Sequence, residues 1–368
     1  MLAHDPGGSL LRVIHERSDT VNRIISKNVT LKLEKNMSSM IKDLLNPDSL
    51  PDRTKSVALV QTHISYLLIA DEFVYKIKKP VNFGFLNFST LKKRRYYCRR
   101  EITLNQRLSR GIYIAVLPVL YDGTCHRIGI GKGSAVEYAV KMKRLPDELL
   151  MKSMVLNGEL QPEHLDKVSI VLSKFHSTTR NSNYIDTFGS PEKIKVNTDE
   201  NFLQTEPYIG VTIQKKEHDA LQVWTNNFYH TNRKLFLERI DAKKIRDCHG
   251  DLHMEHVCFT EDLSIFDCIE FNNRFRYIDS LSDIAFLLMD LEFHGARNLV
   301  NVLWNRYREM AREPDVEALL TFYKVYRAVV RGKVNSFRLN DDSIDKDKKT
   351  ETMQTAARYF ELARSYIG

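Results

Sequence analysis

Two acidic side chains in one short stretch of this 368-residue chain have the types and spacing for chemistry. Asp251 sits in Cys248-His249-Gly250-Asp251-Leu252-His253-Met254-Glu255-His256-Val257, where the His-Gly-Asp order reads as a tight turn. Asp267 follows sixteen positions later, after the apolar run Leu263-Ser264-Ile265-Phe266, which reads as a short strand. Phosphoryl transfer from a nucleotide uses such a pair: one carboxylate orients and deprotonates an attacking hydroxyl, and another holds the metal that bridges the phosphates. Magnesium prefers oxygen ligands, which Asp267 supplies and to which Glu270 could add a second or outer oxygen. His256 stands five positions past Asp251, where a catalytic loop of this kind carries a residue for a second metal. His249 and His253 read as structural, shaping the turn. Asp is common in turns, so Asp251 alone would carry no function; the parts upstream give it weight.

Those upstream parts are the elements that would position the pair. Residues 57–60, 66–70 and 73–78 read as three strands, the third alternating in Phe73-Val74-Tyr75-Lys76-Ile77-Lys78 and closed by Pro80. Lys76 and Lys78 share one face of that strand. Taken by themselves they are solvated edge-strand charges. Read with the acidic pair, Lys76 is the preferred phosphate contact and Glu101, in the next helix, its partner. That helix begins at a Ser89 cap and runs to about 108. Strands at 114–119 and 135–142 follow, with a hairpin turn at Asp122-Gly123. From Leu145 the texture turns helical: 163–177, 220–239, 282–309 and a series from 316. The expected domains are an N-terminal extension over 1–40, loosely attached or helical, with Met37 and Met40 as alternative starts; an N-lobe over 41–143; and a C-lobe over 144–368.

In this order the segments resemble the aminoglycoside phosphotransferase-like family, and within it a poorly characterised bacterial branch. The matching pieces are Gln61-Thr62-His63-Ile64-Ser65, residues 74–80, Phe83-Gly84-Phe85-Leu86-Asn87-Phe88-Ser89-Thr90-Leu91, 249–256, 266–272, and Ile278-Asp279 through Ser282-Asp283-Ile284-Ala285-Phe286. The resemblance covers roughly residues 40–368 and implies an α+β, protein-kinase-like two-lobed fold: a β-rich N-lobe with one helix and a mostly helical C-lobe. It implies ATP as phosphoryl donor and Mg2+ as metal, with Asp251 as catalytic base, Asp267 on the metal, and Lys76 on the phosphates with Glu101 beside it. Gln61, His63 and Ser65 would stand in for a glycine-rich phosphate loop. The stretch 140–143, with Lys141 and Met142, would join the lobes and offer backbone groups to adenine. Asp283 would brace the catalytic loop. The family pattern has Asn where this chain has His256; an imidazole is a softer ligand than an amide oxygen, which admits Mn2+ or a weakly active, degenerate kinase.

The remaining composition narrows the field. Net charge is +8 with 43% hydrophobic residues, suited to a globular protein with a polyanionic ligand. The five scattered cysteines form no Cys-x-x-Cys pair, and no apolar run reaches the roughly 20 residues of a membrane helix. A cytoplasmic location without membrane partner is the expectation. Gly129-Ile130-Gly131-Lys132-Gly133-Ser134 has the wrong spacing for a phosphate-binding loop and reads as a turn. Two rivals stand beside the kinase reading. Cys248, His249, Asp251, His253, His256, Cys258 and Asp267 crowd a short segment from which a hydrolase zinc could take three or four ligands. The run Lys92-Lys93-Arg94-Arg95-Tyr96-Tyr97-Cys98-Arg99-Arg100 has the composition of a nucleic-acid grip, though a solvated helix face explains it better. The acceptor is read only as a small hydroxylated molecule. Asp279, Asp290 and Glu292 are the residues a cationic one would meet, each first a capping or solvated group.

Overall fold

The computed structural model describes residues 37–341 and 344–368, so most of the expected N-terminal extension, 1–36, lies outside the described residues. The chain divides into two compact units. The first comprises the described residues up to Phe83 with Asn87–Cys98 and Ala115–Arg144; the second comprises Gly84–Leu86, Arg99–Ile114 and Leu145–Gly368.

The first unit is built on β1 (Ala58–Gln61), β2 (Ser65–Ile69), β3 (Phe73–Lys78), β4 (Tyr113–Tyr121), β5 (His126–Ile128) and β6 (Ser134–Lys143), in sheet order β1-β2-β3-β6-β4-β5. The pairs β1–β2, β2–β3, β3–β6 and β4–β5 are antiparallel. A helix α1 (37–44) places Met37, Met40, Ile41 and Leu44 on one stripe, and these pack with Leu68, Tyr75, Ile77, Val119, Ile128 and Ala139. Side chains alternate along a strand, so Tyr75 and Ile77 on that core face send Lys76 and Lys78 to the other. Both lysines are buried, 8% and 1% exposed, and β3 lies between β2 and β6. The reading of solvated edge-strand charges therefore fails. The expected direct hairpin from 114–119 to 135–142 is also corrected: β5 intervenes, paired to β4 through Val119↔Ile128. The Asp122 carboxylate accepts from the backbone of Thr124 and Cys125 to close that turn. Gly133, in the glycine-rich turn that follows, has φ 132° and would bring a Cβ to 2.3 Å from the Tyr121 carbonyl oxygen.

Helix α2 (Leu91–Asn105) follows β3, with Thr90 rather than Ser89 accepting a first-turn backbone bond, from Lys93. Within the basic run at its start, Arg94 is buried against Glu137 of β6 at 2.7 Å and donates to the Phe88 carbonyl. Arg95 stacks on Tyr138, Tyr97 packs on Phe88, and Cys98 is buried. Arg94 and Cys98 are buried, while Lys92, Lys93, Arg95 and Arg99 stay exposed on the helix, as expected of a solvated face.

In the second unit, α3 (Met151–Leu156), α4 (Pro162–Thr178), α5 (Asn183–Asp186), α6 (Pro191–Thr205), α7 (Lys215–Thr231) and α8 (Arg233–Asp241) precede two small two-stranded sheets. These pair β7 (Ile245–Asp247) with β10 (Tyr277–Asp279) and β8 (Val257–Phe259) with β9 (Leu263–Ile265). Then come α9 (Ser280–Phe293), α10 (Arg297–Ala311), α11 (Glu317–Arg338) and α12 (Lys346–Ser365). The helix expected over 220–239 breaks at Asn232, whose φ of −117° and ψ of 21° leave the helical region. The one expected over 282–309 breaks at Gly295, at φ 80°. Helix α9 is buried on every side, as its nearly continuous apolar sequence requires, and contributes Leu281, Ile284, Ala285, Leu287, Leu288 and Leu291 to the main core. None of the five cysteines is disulfide-bonded. Among the described residues no helix is long and apolar enough to cross a membrane.

Candidate active site

The turn at Asp251 is fixed from below by α9. The Asp283 carboxylate accepts from the backbone N–H of His249 at 2.8 Å and of Gly250 at 2.9 Å. Gly250 has φ 90°, and a Cβ there would lie 2.6 Å from the Phe275 carbonyl oxygen, so the turn admits only glycine without displacement. Arg327 of α11 donates to the Gly250 carbonyl at 3.0 Å. Burial would raise the Asp283 carboxyl, but hydrogen bonding from His176 and the charges around it outweigh that and hold it down at about 2. His176 is itself satisfied, between the Tyr307 hydroxyl and Asp283.

The segment carrying Asp267 is knitted to this loop. Phe266 N–H donates to the His256 carbonyl, His249 Nε2 reaches the Phe266 carbonyl at 2.9 Å, and Ile269 N–H donates to the His249 carbonyl. Tyr113 and Asn105 accept from the backbone N–H of Asp267 and Cys268 at 3.0 and 2.8 Å. Asp267 has φ 61°, a left-handed conformation costly for a residue with a Cβ, and non-glycine residues held there concentrate at functional sites. Arg107 and Arg276 hold the underside through Asp247 and the carbonyls of Cys248 and Ile269.

The His256 ring lies between the two acidic residues, 3.7 Å from each carboxylate. Its Nδ1 lies 2.9 Å from the Asp251 carbonyl oxygen, which only accepts, so Nδ1 carries the proton. Its Nε2 then presents a lone pair 3.7 Å from Asp267 Oδ2. Burial, with the neighbouring His253 charge, lowers the His256 imidazole to about 4. The His253 ring lies 3.9 Å away, centroid to centroid, with its Nε2 3.5 Å from Asp251 Oδ2. Burial would raise the Asp251 carboxyl, but His253, His256 and Arg331 outweigh it and hold it well below the usual carboxylate range. Burial likewise lowers His249.

Two clusters bring three metal-ligating side chains together among the described residues. In Asp251–His253–His256, Nδ1 of His256 is committed to a carbonyl and Nε2 of His253 faces the Arg331 guanidinium at 3.3 Å. A guanidinium at that position opposes a cation, so the donor set does not fit zinc. In His176–Cys248–Asp283, the buried Cys248 thiol donates to the Ile278 carbonyl and is pushed well above its usual range, while Asp283 and His176 are spent as described. Among the described residues, donors in both clusters are already engaged by Arg331 and by backbone carbonyls, which weighs against the zinc-hydrolase reading. The face formed by Asp267 and His256 Nε2 does fit a divalent ion, with an anionic oxygen and an unprotonated nitrogen converging. Glu270 is buried in the same segment.

The remaining expected residues fall on separate elements. In the first unit Gln61 ends β1, His63 lies in the turn and Ser65 opens β2. Thr62 organises that turn by accepting from the backbone of Ile64 and Ser65. The Ser65 hydroxyl is buried without a hydrogen-bond partner among the described residues. Lys78 lies over the Phe88 ring at 4.8 Å. Lys141 and Met142 lie within β6, in register with Tyr75 and Val74. The Lys141 side chain is bound to Asp52 and stacked on Phe73, so the connector between strand and helices begins beyond Lys143. Glu101 falls in the second unit, fully buried in α2. Sequence reasoning missed Arg327 and Arg331, which support the turn. Their signal was two arginines four apart in a helix whose neighbours Phe322, Tyr323, Val325, Ala328 and Val329 are all apolar.

A six-stranded antiparallel sheet in the first unit, and a mostly helical second unit carrying two small two-stranded sheets and a braced His-Gly-Asp turn, define an α+β architecture. The chain resembles the aminoglycoside phosphotransferase-like family. No family model matches it. It is 29% identical over 308 residues to the uncharacterized proteins Rv2004c of Mycobacterium tuberculosis and Mb2027c of Mycobacterium bovis, covering 83% of this chain. The chain spans 59% of the length of each of those relatives. Among solved structures, a choline/ethanolamine kinase family protein from Mesorhizobium loti aligns at TM-score 0.45 and 14% identity, over 85% of this chain and 93% of that one. Choline kinase LicA from Streptococcus pneumoniae aligns at 0.43 and 14%, over 90% and 99%. Aminoglycoside phosphotransferase APH(3'')-Id from Streptomyces rimosus aligns at 0.43 and 10%, over 80% and 97%.

Proposed function

We propose that this chain is an ATP- and metal-dependent phosphotransferase that moves the γ-phosphoryl group to a hydroxyl of a small molecule. The observation that carries the reading is the placement of the His256 ring between Asp251 and Asp267, with Asp283 holding the turn from behind. Asp251 is the base: ionised, partly exposed and fixed by its backbone, it orients the acceptor hydroxyl and takes its proton as the new P–O bond forms. Asp267 and His256 hold the divalent ion, with Glu270 in support; when bound, the ion neutralises charge on the phosphates. Lys76 meets the phosphates. Gln61, His63 and Ser65 belong to the phosphate-binding turn, and the unsatisfied Ser65 hydroxyl is a donor suited to a phosphate oxygen.

The acceptor gains little from the acidic residues that a cation would need. Asp279 caps α9 and pairs with Arg239. Asp290 accepts from Met254 N–H and the Tyr359 hydroxyl, and Glu292 binds Lys324 and Tyr366. The test is nucleotide binding with and without a divalent ion, followed by an acceptor screen for ADP release. Metal-dependent ATP binding and acceptor-dependent ADP release support the reading. No ATP binding under any metal overturns it, and binding without release for any hydroxylated acceptor reduces the chain to a nucleotide-binding relative of such kinases.

A further inference from the structure

We infer that the metal-binding face of this site is nitrogen-ligated and selects Mn2+ over Mg2+, with His256 Nε2 as a direct ligand beside Asp267. The inference rests on the phosphotransferase reading for the role of the ion, and on three features of the structure for its identity.

The first is the tautomer. A ring nitrogen opposite a carbonyl at 2.9 Å must donate, so the Asp251 carbonyl fixes the proton on Nδ1 and leaves Nε2 as the only nitrogen of His256 able to bind a metal. The carbonyl also acts as the outer partner that usually orients a metal-binding histidine and raises its basicity. The second is direction. Nε2 faces Asp267 Oδ2 at 3.7 Å, a separation that one ion can bridge with ordinary bonds of about 2.1 Å to each atom. The third is rigidity. The His256 ring packs on His253 at 3.9 Å between centroids, tilted by 35°, and its Nδ1 bond to the Asp251 carbonyl sets its orientation, which keeps Nε2 toward Asp267. Mg2+ takes oxygen ligands in near-ideal octahedra and keeps its waters. An imidazole suits transition ions better, and affinity for a mixed nitrogen and oxygen site favours them over a hard ion. Mn2+ accepts carboxylate, phosphate and imidazole together. A zinc site would require further nitrogen or sulfur donors, and Arg331 lies against Nε2 of the neighbouring His253.

The experiment uses the full chain grown with 15N-labelled histidine, loaded with Mn2+ alone and with Mn2+ plus a non-transferable ATP analogue. Pulsed EPR of the bound Mn2+ should show coupling to a 15N nucleus, absent from unlabelled protein, and His256→Asn should abolish it. Calorimetric titration should show tighter binding of Mn2+ than of Mg2+, with the gap narrowed in His256→Asn. The labelled wild type decides the matter even if that variant fails to fold. Bound Mn2+ without histidine coupling, or Mg2+ binding as tight as Mn2+, overturns the inference. If the analogue still binds with metal in those cases, the phosphotransferase reading survives; if no nucleotide binds, that reading falls by itself.

Discussion

At the scale of single residues, the site sets Asp251 apart from the groups around it. Positioned acid–base groups contribute about 10²–10⁴-fold, so Asp251→Asn should lower kcat by that order while the Kd for ATP stays nearly constant. Unchanged turnover would remove Asp251 from the mechanism. The histidines give a second prediction. His256 titrates at about 4 in the folded chain, below the ordinary 6.5, because burial disfavours its charge, and His249 is shifted the same way. Between those values the unfolded chain binds more protons than the folded one, so stability is fully present above about 6.5 and is lost as pH falls toward 4. Urea midpoints measured across that window should fall with acidification, and the slope should be shallower in His256→Asn. An identical slope would mean that the ring is not held neutral. The types and order of Asp251, His256 and Asp267 were legible in the sequence because turn residues and carboxylates announce themselves locally. The tautomer of His256 was not, since it depends on where a backbone carbonyl lies.

At the scale of elements, α9 is the platform. Its apolar residues bury it on all sides, and Asp283 rises from that core to meet two backbone N–H groups and His176. Asp283→Ala leaves those donors buried without an acceptor, and breaking a buried charged network by removing one partner costs roughly 3–5 kcal/mol. Chemical denaturation should register a loss of that size, with catalysis lost as well, because the turn would no longer be held. A loss below 1 kcal/mol would show that the loop holds itself. The sequence announced this helix clearly, but its limits ran together with α10, because a long apolar pattern hides a break that one glycine at φ 80° creates. Helix α6 went unread for the opposite reason. Its buried face includes Asn197, Thr198, Asn201 and Thr205, so it lacks the apolar period that marks a helix. The short β5 escaped because three residues carry no period at all.

At the scale of the whole molecule, the functional residues divide between the two units, and this division decides which measurement each should move. The proposed catalytic turn and metal segment belong to the second unit, and the candidate phosphate lysines to β3 of the first. Sequence pattern found β3 and both lysines but left an edge position open for them, since strand order is fixed by pairings, here with β2 and β6. Burial of both makes a solvated role untenable and leaves two different tasks. Lys78, 1% exposed and over the Phe88 ring, has the surroundings of a packed cation, an interaction worth about 0.5–2 kcal/mol. Lys76, less deeply buried on the same face, is assigned to the phosphates. Lys76→Met should therefore weaken ATP binding in calorimetry with little change in Tm, whereas Lys78→Met should lower Tm and leave ATP affinity close to that of the parent. Neither substitution should imitate Asp251→Asn, which acts on turnover with binding retained. The opposite pattern, with nucleotide affinity following Lys78, would exchange the two roles; loss of neither property in either variant would take β3 out of the phosphotransferase reading.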